Sequence, residues 1–193
     1  LRDGDDYVIN GSKTFITNGY NANLICVICK TDPDERAKGI SLIMLETEDL
    51  DGFSRNAPLD KIGMKGQDTC ELFFDDCRVP VGNLLGAEEG QGFYQLMAQL
   101  PRERLIVGLG SVAIMEAALN ATIDYTKERH AFGKAIIEFQ NTKFKLAEKL
   151  TETKIARVFI DHCIEKIIAG ELDAETASMA KWWCSETQFD LVK

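Results

Sequence analysis

The chain has 193 residues, enough for one large domain or two small ones, and its 45% hydrophobic against 27% charged residues allow a real core. A net charge of −9 offers no basic stripe to release counterions, which argues against nucleic acid and anionic membrane surfaces while leaving small anions that Arg pairs hold locally. No uninterrupted apolar run approaches the ~18–20 residues of a membrane span, so a soluble protein is expected.

The expected fold class is α+β, with the period dividing a β-domain over residues 1–88 from a helical domain over 89–193. Tyr7-Val8-Ile9 and Lys13-Thr14-Phe15-Ile16-Thr17 flank Asn10-Gly11-Ser12, which predicts a hairpin. Strands are predicted at 24–29 and at Ile40–Glu46, with a polar loop over 31–38 between them. Cys70, Leu72 and Phe74 alternate with Glu71, Phe73 and Asp75 in a further strand, and Val79-Pro80-Val81-Gly82 closes the section. Short strands joined by turns, with no helices between them, predict an antiparallel barrel or sandwich. There is no G-x-G-x-x-G, so a nicotinamide fingerprint is absent.

From Gly90 onward the period is 3.6. A short helix is predicted over about 91–99, and a second starts with Pro101 in its first turn and runs to about Lys127. Leu105, Leu109, Val112, Leu119 and Ile123 form its apolar face, and Gly108, Gly110, Ala113 and Ala117 permit close helix contact. A third helix, about 141–168, carries Ile155, Val158, Phe159, Cys163 and Ile167 as its stripe and ends at Gly170. Asp173 caps a last helix through Ala180, Trp182 and Phe189 that is expected to be still running at the final residue; with the abrupt start at Leu1, this reads as a piece of a longer chain.

Six cysteines and no signal-peptide pattern predict a reducing compartment. Cys26 and Cys29 spell C-x-x-C, but in a strand residues three apart point to opposite faces, so neither a metal site nor a disulfide is expected of them. His130 and His162 show no metal partner, and no metal site is predicted.

Three constellations carry chemistry. Leu100-Pro101-Arg102-Glu103-Arg104-Leu105 sets a lone carboxylate between two cations at the mouth of an apolar helix. A Glu in a first turn answers the helix dipole and is commonly surface decoration; aimed and unsolvated, it is also a base for a carbon acid. Arg104 then either pairs with a nearby carboxylate or steadies that base. Phe15 and Thr17, two apart on a strand, share a face, so the ring either joins the core beside a cross-strand hydroxyl or lies against a flat cofactor whose edge the hydroxyl bonds. Arg129-His130-Ala131-Phe132-Gly133-Lys134 ends the long helix with a guanidinium that either answers the negative dipole end or grips a diphosphate with its planar fork. Tyr94, in Gly92-Phe93-Tyr94, is an aromatic that an amphipathic helix would carry, and Lys38 in the loop Asp34–Lys38 solvates that loop or meets a phosphate.

Together these segments resemble the acyl-CoA dehydrogenase family, flavoenzymes that desaturate fatty acyl thioesters. Lys13-Thr14-Phe15-Ile16-Thr17-Asn18-Gly19 is similar to the family's Lys-x-Trp-Ile-Thr/Ser-Asn-Gly, and Arg129-x-x-Phe132-Gly133 followed by Phe139-Gln140 is similar to its Arg-x-Thr-Phe-Gly…Phe/His-Gln. Gly63-Met64-Lys65-Gly66 and Arg78-Val79-Pro80 extend the likeness over nearly the whole chain. The resemblance implies a central antiparallel β-domain followed by a truncated helical bundle. It implies FAD as cofactor, an acyl-CoA substrate oxidised to its trans-2-enoyl-CoA, and electrons passed to an electron-transfer flavoprotein. Glu103 would take the α-proton and flavin N5 the β-hydride, as in the long-chain and isovaleryl types; most other members carry their base on a C-terminal loop that this chain does not contain. Phe15, Ile16 and Thr17 would lie against the flavin, Arg129, Phe132 and Gln140 would hold its pyrophosphate and adenosine, and Tyr94, Pro101, Arg102 and Arg104 would line the thioester site. Phe15 stands where the family has Trp, which keeps stacking area and loses the indole donor, and Ala131 stands where many members have Thr.

Glu103 and Arg129 are 26 positions apart on what reads as one helix, about 39 Å at 1.5 Å per residue, longer than an extended FAD. Arg129 is therefore expected to serve a flavin bound beside another subunit, in keeping with the family's dimer of dimers. Within the resemblance an acyl-CoA oxidase, or a non-catalytic piece of the same fold, are the alternatives. It implies bacterial cytoplasm or mitochondrial matrix as the location.

Overall fold

Alternating side chains organise the first half of the chain as two antiparallel sheets. The computed structural model describes residues 1–193, whose contacts divide them into two units, Leu1–Leu96 and Met97–Lys193. In the first unit, β1 (Arg2–Asp3), β2 (Asp6–Thr17), β6 (Thr69–Pro80) and β5 (Phe53–Arg55) lie side by side in that order, and β3 (Leu24–Lys30) pairs with β4 (Ile40–Glu46) in a second sheet. Ile25, Val27 and Cys29 of β3 turn to the core while Cys26 and Ile28 stay exposed, so the two cysteines occupy opposite faces. Tyr7, Ile9, Val27, Ile43, Leu45 and Leu72 pack in one cluster drawn from both sheets, each large aliphatic contributing roughly 1.5–3 kcal/mol of burial.

The hairpin expected at Asn10-Gly11-Ser12 does not form. Residues Asp6–Thr17 are a single strand antiparallel to β6, with register shifts between Ile9 and Gly11 and between Lys13 and Ile16. In the first shift the extra residue belongs to β6: Asn10 faces Asp75 and Asp76, and its side-chain amide donates to Asp76 Oδ1 at 2.8 Å while Asp76 N–H donates to Asn10 Oδ1 at 2.8 Å. An Asn-Gly pair has turn chemistry in isolation; here Asn10 faces a bulge in β6 whose Asp76 takes φ +50°, and Gly11 at φ +137° keeps β2 running past it. In the second shift the extra residue belongs to β2, where Thr14 and Phe15 face Glu71.

The second unit is helical. One helix, α1 (Gly92–Glu128), replaces the two expected, and Pro101 lies in its interior instead of its first turn. Proline removes one amide, and the carbonyl four residues back belongs to Met97, an exposed position where the lost bond costs less than in the core, so the helix continues. α1 is also long and apolar enough to cross a membrane by length and composition, contrary to the expectation from uninterrupted runs. Within that stretch Glu116 is gripped by two bonds from Arg157, Nε to Oε1 at 2.9 Å and Nη2 to Oε2 at 2.7 Å, so its partner is protein. The Arg157 bonds also hold the Glu116 carboxyl below its ordinary pKa.

Arg157 belongs to α2 (Gln140–Ile168), which packs with α1 and α3 (Ala174–Leu191) around Leu105, Val112, Met115, Ala156, Ile160, Cys163, Ala180 and Cys184. Ile155 and Val158, expected in the buried stripe of α2, are exposed, and the inward row is Thr153, Ala156, Ile160 and Cys163. Smaller side chains win that row because the helices approach closely. A Cβ on Gly108 would lie 3.0 Å from both the Ala180 carbonyl oxygen and Ile160 Cδ1. Gly110, Ala113 and Ala117 are exposed, so of the four small residues only Gly108 makes the contact. α2 ends at Gly170 as expected, with Glu171 N–H bonded to the Lys166 carbonyl and Gly170 N–H to that of Ile167. The Asp173 carboxylate caps α3 through Thr176 N–H at 2.7 Å, and α3 closes at Leu191.

Candidate active site

The bulge in β2 re-aims its end. Phe15 sits at φ +59°, outside the regular strand assumed from the sequence, and is 74% exposed. It is not a core aromatic. Ile16 packs against the core cluster while Thr17 is exposed, so a flat ring and a hydroxyl both reach solvent on either side of an anchored aliphatic. Lys13, just before the bulge, donates from Nζ to the Ile28 carbonyl at 3.0 Å. Tyr94, in the first unit on the opening turn of α1, is half-exposed and meets Phe93 edge-on at 5.8 Å. A cleft of about 410 Å³ in this unit, lined by Tyr7, Ile9, Lys13, Val27 and Cys29 among others, holds none of the predicted site residues. Lys38 is exposed.

On α1 in the second unit, Glu103 is exposed and makes no hydrogen bond or ion pair. Because the helix begins at Gly92, Glu103 is an interior residue, and the first-turn dipole reading no longer applies. Arg104 does not pair with a carboxylate; its Nη1 donates to Ser178 Oγ of α3 at 3.1 Å, which holds the guanidinium against the bundle. Arg102 and Pro101 line a cleft of about 270 Å³ with Ala98, Gln99, Ile167, Gly170 and Leu172. The Glu103 carboxylate therefore faces solvent between one unpaired and one anchored guanidinium.

The far end of α1 presents a different chemistry. Arg129 follows the last helical residue, about 39 Å along the helix from Glu103. A two-residue hairpin follows, β7 (His130–Ala131) and β8 (Lys134–Ala135), closed by Ile136 N–H to the Arg129 carbonyl at 2.8 Å. Its turn residues Phe132 and Gly133 both have positive φ, +53° and +81°, the mirror-image turn that suits strand twist. Glycine takes that conformation freely, whereas an aromatic is strained there by about 1–3 kcal/mol. The Phe132 ring is 97% exposed and meets Phe139 edge-on at 6.4 Å. Phe139 precedes α2 and supplies no side-chain cap, so the amides of Gln140, Asn141 and Thr142 keep no intrahelical acceptor. An exposed guanidinium without a partner and a helix start without a side-chain cap are each groups that can bind a phosphate-bearing anion.

The residues over 1–77 match the description "Acyl-CoA dehydrogenase, middle domain", and residues 90–193 match "Acyl-CoA dehydrogenase, C-terminal domain". The chain belongs to the acyl-CoA dehydrogenase family. It is 44% identical over 189 residues to the mitochondrial long-chain specific acyl-CoA dehydrogenase of Mus musculus, covering 97% of this chain and 44% of that protein, so it spans less than half of its relative. An acyl-CoA dehydrogenase from Geobacillus kaustophilus superposes with a TM-score of 0.94 at 48% identity, over 98% of this chain and 50% of that one. A glutaryl-CoA dehydrogenase from Mycobacterium smegmatis in complex with FADH2 superposes at 0.89 with 28% identity, over 98% and 47%.

Within this acyl-CoA dehydrogenase chain three features went unread in the sequence. The bulge at Thr14–Phe15 depends on its partner strand, Ser178 lies 74 residues from the arginine it holds, and α2 starts without a side-chain cap. Of these, only the third left a legible signal: Phe139 in place of a Ser, Thr, Asp or Asn cap.

Proposed function

We propose that the full-length protein is an FAD-dependent acyl-CoA dehydrogenase that oxidises a fatty acyl-CoA to its trans-2-enoyl-CoA. The observation that carries this reading is Glu103: a carboxylate with no partner in its own unit, flanked by an anchored Arg104, in a chain 44% identical to a long-chain specific acyl-CoA dehydrogenase. Glu103 takes the α-proton, and the C–H pair at the β-carbon leaves as hydride so that the double bond forms. When bound, FAD supplies the acceptor for that hydride. An entering acyl chain excludes water from Glu103, so that the carboxylate meets the α-proton unsolvated. On α1 in the second unit, Arg102 and Pro101 line the thioester path while Arg104 stays anchored on Ser178. In the first unit, Tyr94 serves the acyl group, and Phe15, Ile16 and Thr17 present ring, anchor and hydroxyl to the flavin edge. Arg129, Phe132 and the start of α2 at Gln140 take the diphosphate and adenosine.

The same geometry supports an oligomer, because the two ends of α1 are too far apart for one FAD. Exposed Ile106, Val107 and Ile114 on α1, with Val158 and Trp182 on its neighbours, supply apolar surface for subunit contact. An electron-transfer flavoprotein is the proposed electron acceptor, and the location is bacterial cytoplasm or mitochondrial matrix. Adding long-chain acyl-CoA to the purified full-length protein without oxygen is expected to bleach its flavin absorbance. Reoxidation by an electron-transfer flavoprotein, and slowly by air, is the dehydrogenase outcome. Rapid reoxidation by air alone identifies an oxidase, and no bleaching overturns the reading.

Phe132→Gly separates strain from binding. Relief of the positive φ, offset by backbone entropy, should leave the flavin-free protein unchanged or stabler by roughly 1 kcal/mol. Its FAD affinity should nevertheless fall, and thermal melting with FAD titration on one sample reads both. A variant that binds FAD as tightly as the parent removes Phe132 from the site.

A further inference from the structure

We infer that Arg55 is a positioning residue for the flavin-facing end of β2, an inference that rests on the proposed reading of Phe15–Thr17. Its Nη1 donates to three carbonyl oxygens of the turn that follows the strand: Gly19 at 2.9 Å, Tyr20 at 2.6 Å and Ala22 at 3.1 Å. One nitrogen carries two hydrogens, so at least one is shared, and the cation has no carboxylate partner to draw it elsewhere. Its guanidinium carbon lies 5.5 Å from the Phe53 ring centroid, and that ring packs on Phe74 of the core at 5.4 Å. Arg55 therefore reaches the turn from the edge strand β5 on a rigid base.

The opposite polarity of the turn is met by Asp68. Its carboxylate accepts from Tyr20 N–H at 2.8 Å and from Asn21 Nδ2 at 3.1 Å, and its carbonyl accepts from Asn18 N–H at 3.2 Å. Cation on the carbonyls and anion on the amides hold one short loop from both ends of its peptide dipoles. Such a clamp matters here because β2 is irregular on the other side. The register shift between Lys13 and Ile16 frees Thr14 and Phe15 from regular pairing, leaving Ile16 and Thr17, paired with Cys70 and Thr69, as the only ladder contacts before the turn. With only those two pairs between the bulge and the turn, where Phe15 and Thr17 point depends also on the turn that Arg55 grips. The residue touches no ligand itself; it acts through the backbone of residues 16–22.

The test compares parent, Arg55→Met and Arg55→Lys in the full-length protein. FAD titration of flavin-free protein, amide exchange over residues 17–22, and the kcat and KM of the loaded enzyme for an acyl-CoA are measured. Arg55→Met is expected to raise the FAD Kd about tenfold, the scale of one lost charge-assisted bond, and to speed exchange in the turn. It should lower kcat more than it changes KM, because Arg55 touches neither ligand and acts on how the flavin is held, and Arg55→Lys should recover part of each effect with a point donor. Faster exchange with an unchanged Kd and kcat overturns the inference, since the turn would then be loose without consequence. Unchanged exchange overturns it as well. If Arg55→Met does not fold, Arg55→Lys alone decides, a Kd and kcat equal to the parent's being the contrary result. A parent that takes up no FAD defeats the functional reading itself, which is a separate outcome from a parent that binds FAD and a variant that binds it equally.

Discussion

Glu103→Gln in the full-length protein is expected to leave FAD and acyl-CoA binding in place and to slow flavin bleaching by substrate on the order of 10²–10⁴-fold, the range for removing a general base. The structure makes this substitution unusually clean. Glu103 bonds to nothing within its unit, so no ion pair or hydrogen bond is lost. Gln has nearly the helix propensity of Glu and the same volume, and an exposed change of this kind shifts stability by less than about 0.5 kcal/mol. What it cannot do is accept an α-proton at neutral pH. A perturbed flavin spectrum on adding acyl-CoA, without bleaching, is the expected signature. Near-normal turnover would place the base on another segment of the full-length protein and remove the likeness to the long-chain and isovaleryl types.

Arg129→Ala should weaken FAD binding and subunit association together. Arg129 keeps its backbone bonds, N–H to the Tyr125 carbonyl at 2.9 Å and carbonyl from Ile136 N–H, whatever its side chain, so the hairpin that carries Phe132 survives. Loss of charged hydrogen bonds to a diphosphate predicts a fall in FAD affinity of roughly 10–100-fold. The side chain is exposed and unpaired within its own unit, and a coupled loss of assembly follows only if the flavin it holds also touches a neighbour. Flavin content and sedimentation on the same sample read both. Flavin lost from a protein that was monomeric throughout would refute the shared site, and flavin fully retained would refute the diphosphate role.

Legibility followed the range of each interaction. β3 was readable because one face is buried, so the period of two is written into Ile25, Val27 and Cys29, and β4 because it is a short, nearly continuous apolar run buried on both faces. The ends of α2 and α3 were readable because a positive-φ glycine at Gly170 and an acidic cap at Asp173 act within a few residues of themselves. The continuous run of β2 was not, because Asn10-Gly11 has turn chemistry that only the facing bulge at Asp76 overrides. The inward face of α2 was readable in part: Phe159, Cys163 and Ile167 pack on the core cluster, while the closeness of the helices puts Ala156 and Ile160 inward in place of Ile155 and Val158.

The sequence by itself determined the family, the order of sheets and helices, and the residue types able to take a proton, grip a diphosphate or lie against a ring. Each of those depends on local period or on a short run of chemistry. Only the tertiary structure decided that Phe15 is exposed on a bulge, that Glu103 lies inside a helix without a partner, that Arg104 rests on Ser178, and that Arg55 holds a turn more than thirty residues away in the chain. Those facts belong to pairs of segments brought together by folding. A side chain's partner, unlike its period, depends on which distant surface arrives beside it.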